Sequence, residues 1–139
     1  MGRKYILALG VVVIVGGGLF WMYRSQPLTS NLPPPTSAVT ASLTIDFGDR
    51  TEQFKRVVLT TDPTAFGILK TVTEREHIPL VFDPPASMGV FVRQIGKKKN
   101  GDDGRYWQYW VNEIFPLVAS DRSALEEGDR VEWKFHKEN

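Results

Sequence analysis

Two nearby stretches decide the fold of this chain: residues 104–112, which read GRYWQYWVN, and residues 125–135, which read LEEGDRVEWKF. In the second stretch, Val131, Trp133 and Phe135 alternate with charged residues. Such alternation is typical of a strand with one face buried and the other in water. We therefore predict that these stretches form two strands. We also predict that Trp133 is buried against the apolar face of an amphipathic helix, which carries Phe66, Leu69 and Val72 at helical spacing.

The first stretch has an unusual density of aromatic residues. Four of the chain's sixteen aromatics are Tyr106, Trp107, Tyr109 and Trp110. Because successive strand residues point to opposite faces, this strand has aromatics on both faces. Two interpretations stay open: a core strand covered on both sides, or a strand that uses one face to hold a ligand or a partner. One short helix can hardly cover every aromatic, so we predict a partly exposed patch that includes Trp107 or Trp110 and borders Pro116 and Leu117.

The sequence between the linker and these stretches predicts a hairpin, a helix and two more strands. Asp62 is suited to be the helix N-cap, Pro63 suits its first position, and Pro79 ends it after about fourteen residues. Residues 97–104 form a charged hairpin loop. The expected fold class is α+β, a β-grasp-like mixed sheet packed on one helix. Its predicted strands before the aromatic stretch are residues 43–47, 51–59, 80–82 and 90–95.

The N-terminal segment predicts a membrane anchor. Residues 5–23 contain no charge, and nineteen residues in a helix span roughly 28 Å, close to the hydrocarbon thickness of a bilayer. Residues 1–24 are therefore expected to form a cytoplasmic tip and a transmembrane signal anchor. Arg3 and Lys4 outnumber Arg24, so the positive-inside rule puts the N-terminus in the cytoplasm and the residues after Arg24 outside. The alternative is a cleaved signal peptide, whose apolar region is usually shorter. We expect a single-pass protein of the cell membrane with its globular domain outside the cytoplasm.

Residues 25–42 are rich in serine, threonine and proline and carry no charge. Such a segment cannot bury a core and favours an extended conformation, so it predicts a spacer. The globular domain is then expected at residues 43–139.

Composition excludes several classes of function. The chain has no cysteine and only two histidines, His77 and His136, so no transition-metal site is expected. Beyond residue 42 there are fourteen basic and sixteen acidic residues, and this balance argues against nucleic-acid binding. There is no Gly-x-Ser-x-Gly motif, and His77 has no serine near it in the sequence pattern. The sequence leaves a glycosidase pair of carboxylates open, but a domain of this size rarely forms the cleft that such a pair needs, so we do not expect an enzyme.

The two opening stretches also carry a resemblance. The Trp-Gln-Tyr-Trp-Val-Asn strand, Pro116-Leu117 and the Leu-Glu-Glu-Gly-Asp turn into the last strand resemble the transcobalamin-like C-terminal domain family. This family includes the β-domains of vitamin B12 carriers and the bacterial domains grouped as DUF4430. The resemblance covers about the last hundred residues. It implies a β-grasp domain that closes over a ligand, and cobalamin is therefore a possible ligand.

The resemblance also implies site residues. The matching positions are Trp107, Gln108, Pro116 and Leu117, and Tyr109 shares a strand face with Trp107. The predicted function is a membrane-anchored binding module outside the cytoplasm that captures a small ligand on an aromatic sheet face. The alternative is a cell-surface module that binds another protein and no small molecule.

Overall fold

The computed structural model describes residues 37–137. The predicted membrane segment at residues 5–23 and most of the predicted spacer lie outside this range. Within it, the one α-helix is too short and too polar to cross a membrane.

The described part of the chain is α+β, as predicted. Strand β1 is central in a mixed sheet of order β2-β1-β7-β6, where it runs parallel to β7, while β6 runs antiparallel to β7. A second, antiparallel sheet has the order β3-β4-β5. The elements are β1 Val39–Asp46, β2 Thr51–Leu59, α1 Ala65–Arg75, β3 Leu80–Ala86, β4 Gly89–Ile95, β5 Lys98–Lys99, a 3-10 turn Asp102–Gly104, β6 Arg105–Val111 and β7 Arg130–Lys137.

Strands β6 and β7 confirm the prediction that the two opening stretches form strands, and in the structure they pair with each other. Trp107 lies opposite Phe135, and Tyr109 lies opposite Trp133. These side chains share the inner face with Ala41, Leu43 and Ile45 of β1, and all of them are buried. The intervening residues of β6 and β7 form the outer face of the sheet, which is partly in contact with solvent.

Trp133 is buried against the start of α1, as predicted. Only 3% of its surface is exposed, and its indole N–H donates a hydrogen bond to the carbonyl of Ala65, 3.3 Å away. The helix residues with which it was expected to pack, Phe66, Leu69 and Val72, are buried in the same core.

The predicted helix ends were wrong. The N-cap is Thr64, whose hydroxyl accepts a hydrogen bond from the N–H of Gly67 at 2.9 Å. Asp62 lies two residues earlier, where its carboxylate accepts from the Thr64 hydroxyl. The helix has eleven residues and ends at Arg75, before Pro79. His77 has a φ of 56°, and this left-handed conformation turns the chain out of the helix.

Three other boundaries differ from the prediction. Strand β1 begins at Val39, so its first four residues belong to the segment predicted as spacer. Strand β3 continues through Pro84 and Pro85, which an edge strand tolerates because its outer N–H groups need no partner in the sheet. The predicted charged loop contains the short strand β5. Residues 37–137 form two sheets where one was expected, because β3, β4 and β5 pair with one another and not with the other strands.

Candidate functional site

A pocket of about 170 Å³ lies between strands β4 and β6. These strands belong to different sheets, and no backbone ladder joins them among residues 37–137. The two strand edges therefore form the long walls of a cleft, and part of the β6–β7 connection closes one end. The lining residues are Val90, Phe91, Val92, Trp107, Gln108, Tyr109, Phe115, Ala119, Ser120 and Trp133.

Trp107 lines this pocket but is not part of an exposed patch. Its exposed fraction is 6%, and its indole N–H donates to the carbonyl of Lys98 at 2.9 Å. The ring packs edge-on against Phe47 and tilted against Phe135, with centroid distances of 5.6 and 5.1 Å. Of the two tryptophans that the predicted patch left open, Trp107 is therefore not the exposed one, because the second sheet covers the face that a single helix would have left open.

Tyr109 forms the neighbouring part of the pocket wall. Its ring stacks on Trp133 with centroids 5.3 Å apart, and 8% of the residue is exposed. Its phenol donates a hydrogen bond to the carbonyl of Val118 at 2.6 Å. Burial raises the pKa of Tyr109 above its usual value of 10.0, so the phenol stays neutral and keeps this bond at physiological pH. Tyr109 thus ties the β6–β7 connection to the pocket.

Gln108 reaches the pocket only through its backbone, since its side chain points to the opposite face of the sheet. There its oxygen lies 2.7 Å from Nε2 of His136. The same outer face holds Trp110, which is half-buried and has the Lys134 ammonium 4.8 Å from its ring centroid. Of the two tryptophans named in the predicted patch, Trp110 is therefore the one in contact with solvent.

Pro116 and Leu117 lie in the connection next to the pocket but do not line it. Pro116 is half-buried, and Leu117 is 96% exposed. Their neighbour Phe115 does line the pocket and is 49% exposed, so it forms part of the rim. It also packs edge-on against Trp110 with a centroid distance of 5.6 Å. Phe115 is a site residue that the sequence interpretation missed.

Asn100 is the second residue that sequence reasoning missed. Its side-chain N–H donates to the carbonyl of Val92 on β4 at 2.9 Å. Its side-chain oxygen accepts from the N–H of Trp107 on β6 at 2.8 Å. One carboxamide thus bridges the two strand edges and closes the other end of the cleft. The only signal in the sequence was the Asn100-Gly101 pair, which indicates a turn without indicating that contact.

The pocket is suited to binding apolar groups. Its walls are mainly aromatic and aliphatic, and a cavity of about 150 Å³ with such walls can hold a benzene molecule. Among residues 37–137 there is no group of three or more histidine, aspartate or glutamate side chains placed to hold a metal ion.

A profile described as "Domain of unknown function (DUF4430)" matches residues 62–137. Among solved structures, a protein from Ruminococcus gnavus ATCC 29149, for which metal binding is proposed, is 17% identical, with a TM-score of 0.54 over 73% of this chain and 99% of that one. Haptocorrin in complex with Cbi is 13% identical, with a TM-score of 0.60 over 73% of this chain and 26% of that one. No curated protein sequence matches. At these identities, the structural similarities show the fold alone.

Proposed function

The chain belongs to the DUF4430 family, and from that premise we propose that its domain is a binding module with a β-grasp fold. Its ligand inserts one apolar group, a ring or a short alkyl chain, into the pocket between β4 and β6. The module binds without catalysis. The observation that carries this proposal is a pocket of about 170 Å³ whose walls include Trp107 and Tyr109 and whose rim includes the half-exposed Phe115.

The pocket volume limits what can be enclosed. Sites that enclose a drug-sized ligand usually have volumes of about 300–1,000 Å³. At about 170 Å³, this pocket encloses a single ring, and the rest of a larger ligand lies outside it. Phe91 and Phe115 are 54% and 49% exposed, so they are available to contact that outer part.

Cobalamin is a test ligand within this proposal. The similarity to haptocorrin in complex with Cbi supports testing it, although this chain spans only 26% of that protein. A ligand of corrin size would lie against one side of this domain and not be enclosed by it, so we expect weak binding by this chain alone. Retention of the corrin absorbance during size-exclusion chromatography of the full chain measures it.

We further propose that residues 5–23 anchor the module in the cell membrane with the domain outside the cytoplasm. The support is the uncharged segment with Arg3 and Lys4 before it and Arg24 after it. Protease added to intact cells should release a fragment of the domain. Release only after lysis would contradict the orientation, and intact protein in the medium would indicate a cleaved signal peptide.

Fluorobenzene, a probe with a single ring, tests the pocket. It is titrated into the full chain in lipid nanodiscs, and its binding is measured by fluorine NMR. We expect Phe115→Ala to weaken fluorobenzene binding about threefold to tenfold, since one aromatic contact contributes about 0.5–1.5 kcal/mol. Leu117→Ala is the matched control: it is in the same connection, 96% exposed and outside the lining. Equal binding by both variants and the parent would contradict the proposal.

One observation favours the alternative, a module that binds another surface protein. The β6–β7 connection exposes Ile114, Leu117 and Val118 by 69%, 96% and 51%, and neighbouring exposed apolar side chains are typical of protein contact sites. Crosslinking in intact cells with Leu117→Ser tests it. Loss of a crosslinked partner in that variant, with fluorobenzene binding unchanged, would favour this function.

A further inference from the structure

The carboxamide of Asn100 bridges the cleft as a peptide group would between neighbouring strands. Its N–H bonds to the Val92 carbonyl on β4 at 2.9 Å, and its C=O bonds to the Trp107 N–H on β6 at 2.8 Å. The cleft walls thus already bind one amide, with a donor supplied by one strand and an acceptor by the other.

Next to this bridge, on the side of the pocket, Tyr109 of β6 and Val90 of β4 present an N–H and a C=O in the same way. The N–H of Trp107 points away from β7, and alternation along the strand gives the backbone N–H and C=O of Tyr109 the same direction. By the same alternation, the C=O of Val90 shares the cleft edge with that of Val92. The N–H of Val90 is already bound to the Asp121 carboxylate at 2.9 Å.

The backbone N–H and C=O of Tyr109 have no hydrogen-bond partner among residues 37–137. The residue is only 8% exposed, and so is Val90. Buried backbone groups are nearly always paired, so a pair of them beside an apolar pocket indicates a place for a polar group of the ligand.

On β6, Tyr109 alone offers free backbone groups to the cleft, because its neighbours on that edge are already bound. Beyond Tyr109, the N–H of Val111 is bound to the carbonyl of Ile114 at 3.0 Å. On the other side, Asn100 occupies the N–H of Trp107. Addition of a β-strand needs several free backbone groups in a row. The cleft therefore has room for a single amide and not for an added strand.

Building on the proposed function, we propose that the ligand carries a secondary amide next to the apolar group that enters the pocket. The amide C=O accepts a hydrogen bond from the N–H of Tyr109, and its N–H donates to the carbonyl of Val90. The attached ring lies against the side chains of Trp107 and Tyr109. The ligand class is therefore a small aromatic or aliphatic amide.

The test compares N-methylbenzamide with methyl benzoate, which has nearly the same shape but no N–H donor. The full chain, labelled with ¹⁵N in lipid nanodiscs, is titrated with each compound. We expect N-methylbenzamide to bind about tenfold tighter, the factor that one or two net hydrogen bonds supply. It should also shift the Tyr109 amide proton downfield. The Tyr106 amide is the internal control, because its N–H faces β7.

The outcomes separate this inference from the proposed function. Equal binding of the two compounds, without a shift at Tyr109, overturns the amide inference while the apolar pocket stands. Absence of binding by both compounds overturns the inference and the proposed function together. Tighter binding of a capped extended tetrapeptide than of N-methylbenzamide overturns the single-amide limit in favour of strand pairing. Phe115→Ala should weaken both compounds by the same factor, because it contacts the ring and not the amide.

Discussion

Replacement of Asn100 by alanine tests whether its carboxamide holds the two sheets together. The substitution removes the bonds to the Val92 carbonyl and the Trp107 N–H, which are 2.9 and 2.8 Å long. Both residues left behind are buried, at 4% and 6% exposure. Both bonds are partly buried, so water replaces the lost partners less readily than at an exposed site.

The expected loss follows from the cost of an unpaired buried group. One buried donor or acceptor without its partner costs about 1–3 kcal/mol. For two such groups, with some relaxation of the cleft, we expect the free energy of unfolding to fall by about 2–4 kcal/mol. This is a large share of the roughly 5–15 kcal/mol that stabilises a typical domain.

Urea denaturation of the full chain, followed by tryptophan fluorescence, measures the change. Asn112→Gly is the matched control. Asn112 also makes two side-chain bonds, to the Asp129 carboxylate at 2.8 Å and the Arg130 N–H at 3.0 Å, but both are exposed. Its φ of 49° suits glycine. We expect this control to lose less than about 1 kcal/mol, because water replaces the lost partners.

A second measurement separates loss of the amide from general damage to the fold. Acetamide supplies the missing donor and acceptor to Asn100→Ala. It should therefore raise the urea midpoint of this variant more than it raises that of the parent. N,N-dimethylacetamide has no N–H and should not. The reasoning would be refuted if Asn100→Ala were as stable as Asn112→Gly, or if both solutes acted alike.

Three further predictions concern other parts of the described chain. Trp107→Ala should cost about 3–5 kcal/mol in urea denaturation, since a buried aromatic is removed; a loss below about 1 kcal/mol would contradict its burial. Gly89→Ala should be more destabilising than Gly101→Ala: both positions have positive φ, 88° and 94°, but a Cβ at Gly89 would clash with the Ala119 side chain and one at Gly101 meets nothing within 4 Å. Equal losses in thermal unfolding would show that the close contact is not rigid. The pKa of Asp49 is lowered below its usual 3.8 by the hydrogen bond from Lys98, so its small stabilising contribution is present above that value and is lost as the pH falls through the folded-state pKa. Asp49→Asn should reduce the pH dependence of the free energy of unfolding in this acidic range, and an unchanged pH dependence would contradict the assignment.

Local patterns were sufficient for the strands whose two faces differ. Alternation in β7 predicted that Trp133 points inward, and its burial at 3% confirms this. The amphipathic pattern predicted one helix between β2 and β3, and it also identified the buried side of that helix correctly. Its ends were predicted less well, because Asp62 and Thr64 are both good capping residues and only the backbone conformation distinguishes them.

Patterns within single segments did not identify which residues face each other across the cleft. The aromatic strand β6 has large side chains on both faces, so periodicity could not show which face the second sheet covers. Pro84 and Pro85 suggested that β3 ends early, because the sequence does not show that β3 is an edge strand. The predicted site therefore included Trp107 and Tyr109, which line the pocket, together with Pro116 and Leu117, which do not.

The sequence by itself determined the α+β class, the two strands β6 and β7 and the buried position of Trp133, because these depend on the periodicity of neighbouring residues. The tertiary structure alone decided that β4 and β6 meet without pairing, that Asn100 bridges them and that a pocket is left beside the bridge. Asn100 and Val92 are eight residues apart, and Asn100 and Trp107 are seven. No periodicity marks such contacts, since they depend on how two sheets pack around one helix and not on the conformation of either strand.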